Sequence, residues 1–237
     1  MEWHDQGLVL SRRRHGEAHG VVSLLTAEHG RTSGLVRGIA GKRTTGVWQV
    51  GNRVDVVWSA RLEDQLGHWR GELSAAHAAR ALADPLALAV LDAATALIET
   101  ALPERDPHAA LFEATDHLLR APTVPAYLAW ERLVLAELGF ALDLETCAVT
   151  GTTEDLSHIS PRTGRAVSAV AAGPWRDRLL PLPPALLDPA AATSAELAAA
   201  LGVTGHFLEP QMLRPHHGLP AARYRLLDRL TSAATRS

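Results

Sequence analysis

Five short apolar runs, separated by glycines and charged turns, fill residues 7 to 74 of this 237-residue chain. They recur about every ten residues, which is typical of a small antiparallel barrel or sandwich and leaves too little room for ordinary helices. The runs read GLVLS, VVSLLT, SGLVRGIA, RVDVVWS and LGHWRGEL. The first third of the chain is therefore predicted to be a β domain.

Alternation along two of these runs predicts which side chains face the core. In RVDVVWS, Val54, Val56 and Trp58 share one face, as in a half-buried strand. In SGLVRGIA, alternation places Arg37 on the apolar side, and a bulge at Gly38 would relieve this conflict. The sequence leaves open whether Arg37 faces solvent or the fold.

From Ala75 onward the composition shifts to alanine and leucine at helical spacing, so a helical domain is predicted. The predicted signals are Asp84-Pro85 and Asp106-Pro107 as helix starts, Gly139 as a stop, Thr193 with Glu196 as a capping box, and Pro220 as the start of the last helix. The segment 143–184 is rich in Thr, Ser, Gly and Pro and is predicted to be a non-helical insert. The fold is thus α+β, with a β domain over residues 1–78 and a helical domain over 79–237.

Charge is distributed unevenly, although the net charge is only −3. Residues 1–79 carry ten Lys or Arg against eight Asp or Glu, and no acid occurs between Glu28 and Asp55. Five cations lie in that acid-free stretch: Arg31, Arg37, Lys42, Arg43 and Arg53. Such a basic face favours contact with DNA phosphates, with a solvated charged loop as the alternative.

The glycine-rich stretch GRTSGLVRGIAGKR, residues 30–43, is not a nucleotide-binding loop. A P-loop requires a glycine five residues before its Gly-Lys pair and Ser or Thr after it, but this chain has Val36 and Arg43 there. A dinucleotide fingerprint should open a helix, and Thr44, Thr45 and Gly46 are poor helix starters. We predict instead a barrel strand that ends in a flexible basic loop.

The candidate DNA-binding residues follow from charge and aromaticity. Phosphate contacts are predicted for Arg13, Arg31, Arg37, Lys42 and Arg43. Trp48, in the loop after these cations, is the candidate for base stacking, whereas Trp58 and Trp69 occupy strand positions typical of core residues.

Catalysis and metal binding have no comparable signature. The carboxylate pairs Glu63-Asp64 and Glu154-Asp155 lack a third partner, no GxSxG elbow occurs, and Cys147 has no evident base. We therefore predict a non-enzyme without a metal or cofactor. The alternatives left open are an adaptor with a structural barrel and a metal-dependent hydrolase. A single cysteine, no long apolar run and an N-terminus, MEWHDQG, unlike a secretory signal predict a cytoplasmic protein without a membrane span.

Several motifs in order resemble the RecO family of bacterial recombination mediators. They are GLVLSRRRHGE, VVSLLTAEHGRTSGLVRGIAG, WSARLEDQLG and LVLAELGFALDLETCAVTG. The resemblance implies an N-terminal OB-fold, a helical C-terminal domain, binding of single- and double-stranded DNA, and strand annealing. It also implies that the protein has two partners, RecR and the acidic tail of the single-stranded-DNA-binding protein. With them it would load RecA, and it would associate with the nucleoid.

The same resemblance implies a CxxC…CxxC zinc site in the insert, and here this chain departs from the family. The four ligand positions hold Cys147, Thr150, Ser168 and Ala171. Alanine and lone hydroxyls do not replace thiolates around structural zinc. We therefore expect a zinc-finger-like insert without zinc. The partner groove implied for the helices has Arg120, Arg132 and Arg214 as its basic residues.

Overall fold

The computed structural model describes residues 1–62, 65–212 and 218–234. Its contacts divide into two compact units. The first comprises Met1–Pro122 with Pro220–Arg223, and the second comprises Thr123–Leu219 with Tyr224–Ser237. Strands give way to helices near residue 76, but the first compact unit continues through the helices that follow.

The first unit contains a closed five-stranded barrel. Its strands are β1 (Glu2–His15), β2 (His19–Thr26), β3 (Gly30–Arg37), β4 (Arg53–Ser59) and β5 (Gly67–Ala75). They follow the order β1-β2-β3-β5-β4, and β1 also pairs with β4 to close the barrel. Neighbouring strands are antiparallel except β3 and β5, which are parallel. The prediction of strands in the five apolar runs is confirmed.

The barrel core contains the residues that alternation assigned to it. Val54, Val56 and Trp58 are buried along β4, and Trp69 of β5 is buried as well. Gly34 and Gly67 pair where the parallel strands meet. A Cβ at Gly34 would come within 2.6 Å of the Trp69 indole, and one at Gly67 within 2.1 Å of the Trp58 indole. These glycines leave space for the two indoles because they have no side chain.

The helices of the first unit are α1 (Lys42–Val47), α2 (His77–Ala81), α3 (Pro85–Ala101) and α4 (Ala109–Arg120). Asp84 caps α3 as predicted, because its carboxylate accepts a hydrogen bond from the Leu86 N–H at 2.8 Å.

The helix start predicted at Asp106-Pro107 is wrong, since α4 begins at Ala109 with His108 as its N-cap. The preceding segment runs alongside β3: Glu104 forms a β-bridge with Arg31, and the Arg105 N–H donates to the Arg31 carbonyl at 2.8 Å. These contacts tie the segment to β3, and Arg105 turns there with a φ of +61°, so the helix begins only afterwards.

The second unit contains α5 (Val124–Glu137), α6 (Ala169–Ala172), α7 (Ser194–Leu208) and most of α8 (Ala221–Ala234). The stop at Gly139 is confirmed, because its φ of +84° is a left-handed conformation that glycine tolerates. The Thr193–Glu196 capping box and the start of α8 after Pro220 are also confirmed. No helix among the residues described is long and apolar enough to cross a bilayer.

The insert forms a small three-stranded sheet. Its strands are β6 (Leu156–Ile159), β7 (Ala166–Ser168) and β8 (Leu180–Pro181), in the order β7-β6-β8. The prediction that the insert lacks helices is wrong in detail, because α6 and a 3₁₀ helix at Gly173–Arg178 lie between β7 and β8. The Ser168 side chain caps α6, accepting a hydrogen bond from the Ala171 N–H at 3.4 Å.

Candidate nucleic-acid interface

Three cations of the acid-free stretch, Arg37, Lys42 and Arg43, lie at one end of the barrel. Arg37 is the last residue of β3 and lies opposite His19 of β2. Lys42 and Arg43 open α1, and all three cationic side chains are exposed. The structure therefore brings together three of the five predicted phosphate ligands, and Arg37 faces solvent.

The bulge predicted at Gly38 is wrong. Pairing between β2 and β3 continues without a register shift through Arg37. Gly38 instead has a φ of +66° and opens the turn that leads to α1, and its carbonyl accepts from the Gly41 N–H at 3.1 Å. The turn needs the left-handed conformation that glycine adopts without strain.

The flexible loop predicted after this turn is the short helix α1. The Thr45 hydroxyl donates to the Ile39 carbonyl at 2.8 Å, and the Asn52 side chain donates to the Gly46 carbonyl at 2.8 Å. These contacts outweigh the weak helix propensity of Thr45 and Gly46. Lys42 and Arg43 are therefore presented by a fixed helical turn.

Trp48 is not a base-stacking platform, contrary to the prediction. Its side chain is 3% exposed and packs in the barrel core. A Cβ at Gly71 of β5 would lie 3.0 Å from the Trp48 ring, so the missing side chain of Gly71 makes room for the indole. An aromatic face enclosed in this way is inaccessible to a base.

Arg31 is largely committed to contacts within the first unit. Its Nε donates to the Leu102 carbonyl at 2.8 Å, and its Nη1 lies 3.4 Å from a Glu104 carboxylate oxygen. The side chain is only 12% exposed. These contacts fasten β3 to the segment after α3, which removes Arg31 from the surface available to phosphates.

Arg13 and Arg12 lie on opposite faces of β1. Arg13 is 77% exposed and approaches Glu99 of α3 at 3.7 Å, and Ser11 hydrogen bonds to the same carboxylate at 3.0 Å. The exposed Arg12 instead donates to the Thr45 carbonyl of α1 at 3.4 Å. Because side chains alternate along a strand, Arg14 lies on the face of Arg12.

The prediction chose Arg13 from this run and left out Arg12 and Arg14, which strand alternation places on the other face. We call Arg12, Arg14, Arg37, Lys42 and Arg43 the basic end of the barrel. All five are exposed. One acid, Glu17, is exposed in the turn between β1 and β2.

A cleft of about 520 Å³ opens beside the basic end, between β3 and β5. Its lining includes Arg37, Thr44 of α1, His68 and Arg70, together with Trp48 and Trp69, which are each only 3% exposed. Arg70 is held by Glu2 across 2.9 Å, and both side chains are more than half exposed. An exposed pair of this kind is weak and can open to admit an anion.

The four positions at which the resemblance predicted zinc ligands, Cys147, Thr150, Ser168 and Ala171, do not fit zinc. Cys147 is buried, and its Sγ accepts a hydrogen bond from the Ser168 N–H at 3.3 Å. Hydrogen bonds from Thr150 and then Ser168 lower the pKa of Cys147 to about 6. Within the described ranges no three His, Cys, Asp or Glu side chains form a group able to hold a metal ion. One thiol and two hydroxyls lack the donors that structural zinc requires.

Two of the arginines assigned to a partner groove have hydrogen-bond partners within their own compact units. Arg120 hydrogen bonds to Asp116 in the first unit, whereas Arg132 of the second unit donates to the Leu186 carbonyl at 2.8 Å. Arg132 also lines a cavity of about 280 Å³ that includes Asp143. Arg214 lies outside the described residues.

Comparison with known proteins identifies the family. Residues 1–76 match the model described as recombination protein O N terminal, and residues 82–220 match recombination protein O C terminal. The chain belongs to the RecO family. It is 48% identical to the DNA repair protein RecO of Rhodospirillum centenum over 100% of this chain and 98% of that protein. It is also 47% identical to the RecO of Cereibacter sphaeroides, over 97% of this chain and 98% of that protein.

The resemblance drawn from the ordered sequence motifs is therefore confirmed, and it extends over nearly the whole chain. The basic end lies within the N-terminal RecO match, and the insert lies within the C-terminal match. The names of these relatives and of the two family models refer to DNA repair and recombination.

Proposed function

We propose that this chain is a non-enzymatic recombination mediator that binds single- and double-stranded DNA through the basic end of its barrel. The observation that carries the proposal is that five exposed cations lie at the same end of the barrel, in β1, β3 and α1. Each cation that neutralises a phosphate releases a condensed counterion, and this release supplies much of the affinity for DNA.

The barrel is of a kind suited to this task. We propose that it is an OB-fold, a five-stranded barrel in which the face of strands 2 and 3 and the adjoining loops bind oligonucleotides. In this chain Arg37 ends β3, the basic end adjoins that face, and the neighbouring cleft has Arg37 and Arg70 in its lining. A DNA strand that follows the cleft would meet both arginines.

Binding rather than catalysis is supported by the chemistry of the polar groups. The thiol of Cys147 is buried among hydroxyl and amide partners, and Glu154 and Asp155 are exposed neighbours. Neither arrangement joins a nucleophile or a carboxylate to an orienting base. Glu63 and Asp64 lie outside the described residues.

The salt dependence of DNA binding tests the proposal. If the five cations of the basic end each neutralise a phosphate of single-stranded DNA, log K should fall against log salt with a slope of about −3.5. Fluorescence anisotropy of a labelled oligothymidylate across a sodium chloride series measures this slope. Absence of binding at low salt, or binding indifferent to salt, would refute the proposal.

We extend the proposal to the activities that RecO membership makes plausible: annealing of complementary strands, cooperation with RecR, capture of the acidic tail of the single-stranded-DNA-binding protein, and RecA loading at the nucleoid. The basic end supports annealing, because neutralised phosphates let two strands approach. Hybridisation of complementary oligonucleotides should be faster with the protein than without it. No acceleration at saturating protein would count against annealing.

We also propose that the insert is a zinc-finger-like module that has lost its metal ligands and folds without zinc. Its support is the position of Cys147 against Ser168, together with the buried packing of Cys147, Val167 and Ala172. The hydrogen bonds of the Cys147 sulfur and this apolar packing take the place of metal coordination.

Restoring three cysteines should restore zinc binding. The variant Thr150→Cys, Ser168→Cys, Ala171→Cys would supply a Cys₄ set with Cys147, and we expect about one zinc per chain by elemental analysis. The same variant carrying Cys147→Ser is the control and should bind zinc more weakly. Failure of the four-cysteine chain to retain zinc would contradict the proposed ancestry of the site.

A further inference from the structure

Trp175 differs from the other five tryptophans in its exposure. Trp48, Trp58, Trp69 and Trp130 are each less than 5% exposed, and Trp3 is half-buried and stacked on His29. Trp175 is 57% exposed. Exposure of so large an apolar surface to water is unfavourable, and Trp is enriched where proteins bind other molecules.

The local fold holds Trp175 outward on a short rigid element. It lies in the 3₁₀ helix Gly173–Arg178, none of whose residues is buried. Ala172, immediately before this helix, is fully buried against Cys147 and Val167 and anchors its start. The Arg178 guanidinium lies over the Trp175 ring, 5.2 Å from its centroid. This cation–π contact favours one orientation of the indole and lies over one of its faces.

The charge around Trp175 is positive. Between residues 156 and 178 the insert carries four arginines and one acid, Asp177, whereas its other acids precede Leu156. Arg162, Arg176 and Arg178 are exposed, and Arg165 is paired with Asp143 at 3.1 Å. Asp177 lies between two of the arginines in the sequence, and Asp155 lies beside the start of α6, where its carbonyl accepts from the Ala169 N–H. The arginines outnumber them.

We infer that the insert carries a second contact for single-stranded nucleic acid, in which Trp175 stacks on a base while Arg176 and Arg178 bind the flanking phosphates. An exposed aromatic beside cations is the combination that sequence-tolerant single-strand binding uses. It also supplies the stacking platform that Trp48, enclosed in the barrel core, does not provide. The inference rests on the proposed DNA-binding function and adds to it a site outside the barrel.

Oligothymidylate binding by the full chain tests the inference. Trp175→Ala should weaken binding about tenfold, within the range that base–aromatic stacking contributes. Trp175→Phe keeps an aromatic face and should retain most of the affinity. Leu187→Ala is the matched control, because Leu187 is 56% exposed in the same compact unit. It should bind as the unsubstituted protein does.

Tryptophan fluorescence supplies a direct readout of stacking. Oligothymidylate should quench the emission of the unsubstituted protein, and Trp175→Phe should remove most of that quenching, since four other indoles are enclosed and Trp3 is already stacked. If the unsubstituted protein binds no oligonucleotide at low salt, the DNA-binding proposal itself fails. If it binds and Trp175→Ala binds equally well, only the insert contact is wrong, and a protein partner becomes the better occupant. If Trp175→Ala binds more weakly but oligothymidylate quenches Trp175→Phe as strongly as the unsubstituted protein, stacking on Trp175 is also wrong.

Discussion

Replacing Asp116 by alanine is expected to lower the free energy of unfolding of the barrel-containing unit by about 3–5 kcal/mol, the usual cost of removing one member of a buried ionic network. Asp116 of α4 is fully buried. Its carboxylate lies 2.7 Å from Arg53 Nη1 of β4 and 2.9 Å from His77 Nε2 of α2, and it also binds Arg120. Its removal would leave the buried His77 and the largely buried Arg53 without their carboxylate.

The same network predicts a pH dependence. Burial raises the pKa of Asp116, but the hydrogen bonds of His77 and Arg120 and the charges of Arg53 and Arg120 outweigh it, so the pKa lies below its ordinary 3.8. A carboxylate whose pKa is lower in the folded state contributes stability that is fully present above its unfolded pKa. This contribution is lost as pH falls through the folded value. The stability difference between Asp116→Ala and the unsubstituted protein should therefore shrink below about pH 4.

Urea unfolding, followed by the fluorescence of the barrel tryptophans, measures both effects. Glu113→Ala is the matched control, because Glu113 is an exposed carboxylate on the same helix. It should change the free energy of unfolding by less than about 0.5 kcal/mol. A loss below about 1 kcal/mol for Asp116→Ala at pH 7 would show that the network is not essential to the unit.

The elements that could be predicted from sequence are those with local causes. Alternation in RVDVVWS predicted the inward face of β4, because a strand repeats every two residues wherever it lies. Asp84 and the Thr193–Glu196 box marked helix starts because caps act within three residues. The Asp116 network has no such signal, since its members lie in β4, α2 and α4 and meet only after folding.

The candidate site was predictable in composition but not in detail. The absence of acid around Arg37, Lys42 and Arg43 predicted a basic surface, and the structure exposes all three side chains. Arg31 belongs to the same stretch, yet its partners Leu102 and Glu104 lie more than 70 residues away. The burial of Trp48 likewise depends on the space beside Gly71 of β5, which forms only when the barrel closes.

Reversing two charges of the basic end is expected to weaken single-stranded DNA binding by on the order of 100-fold at about 0.1 M salt. The variant is Lys42→Glu, Arg43→Glu, at two exposed residues of α1. Two lost phosphate contacts should also make the salt slope shallower by about 1.4. Because neither side chain is buried, the urea midpoint should stay near that of the unsubstituted protein.

A matched reversal separates a local contact from the general effect of net charge. Arg61→Glu, Arg80→Glu changes the net charge by the same amount at exposed residues of the same compact unit that are not part of the basic end. If the basic end is the binding surface, this control should weaken binding only several-fold and leave the salt slope nearly unchanged, because long-range repulsion is screened within about 10 Å at 0.1 M salt. Equal losses in the two variants would mean that the chain binds DNA through diffuse charge. Full affinity in Lys42→Glu, Arg43→Glu would instead favour an adaptor in which the barrel is structural.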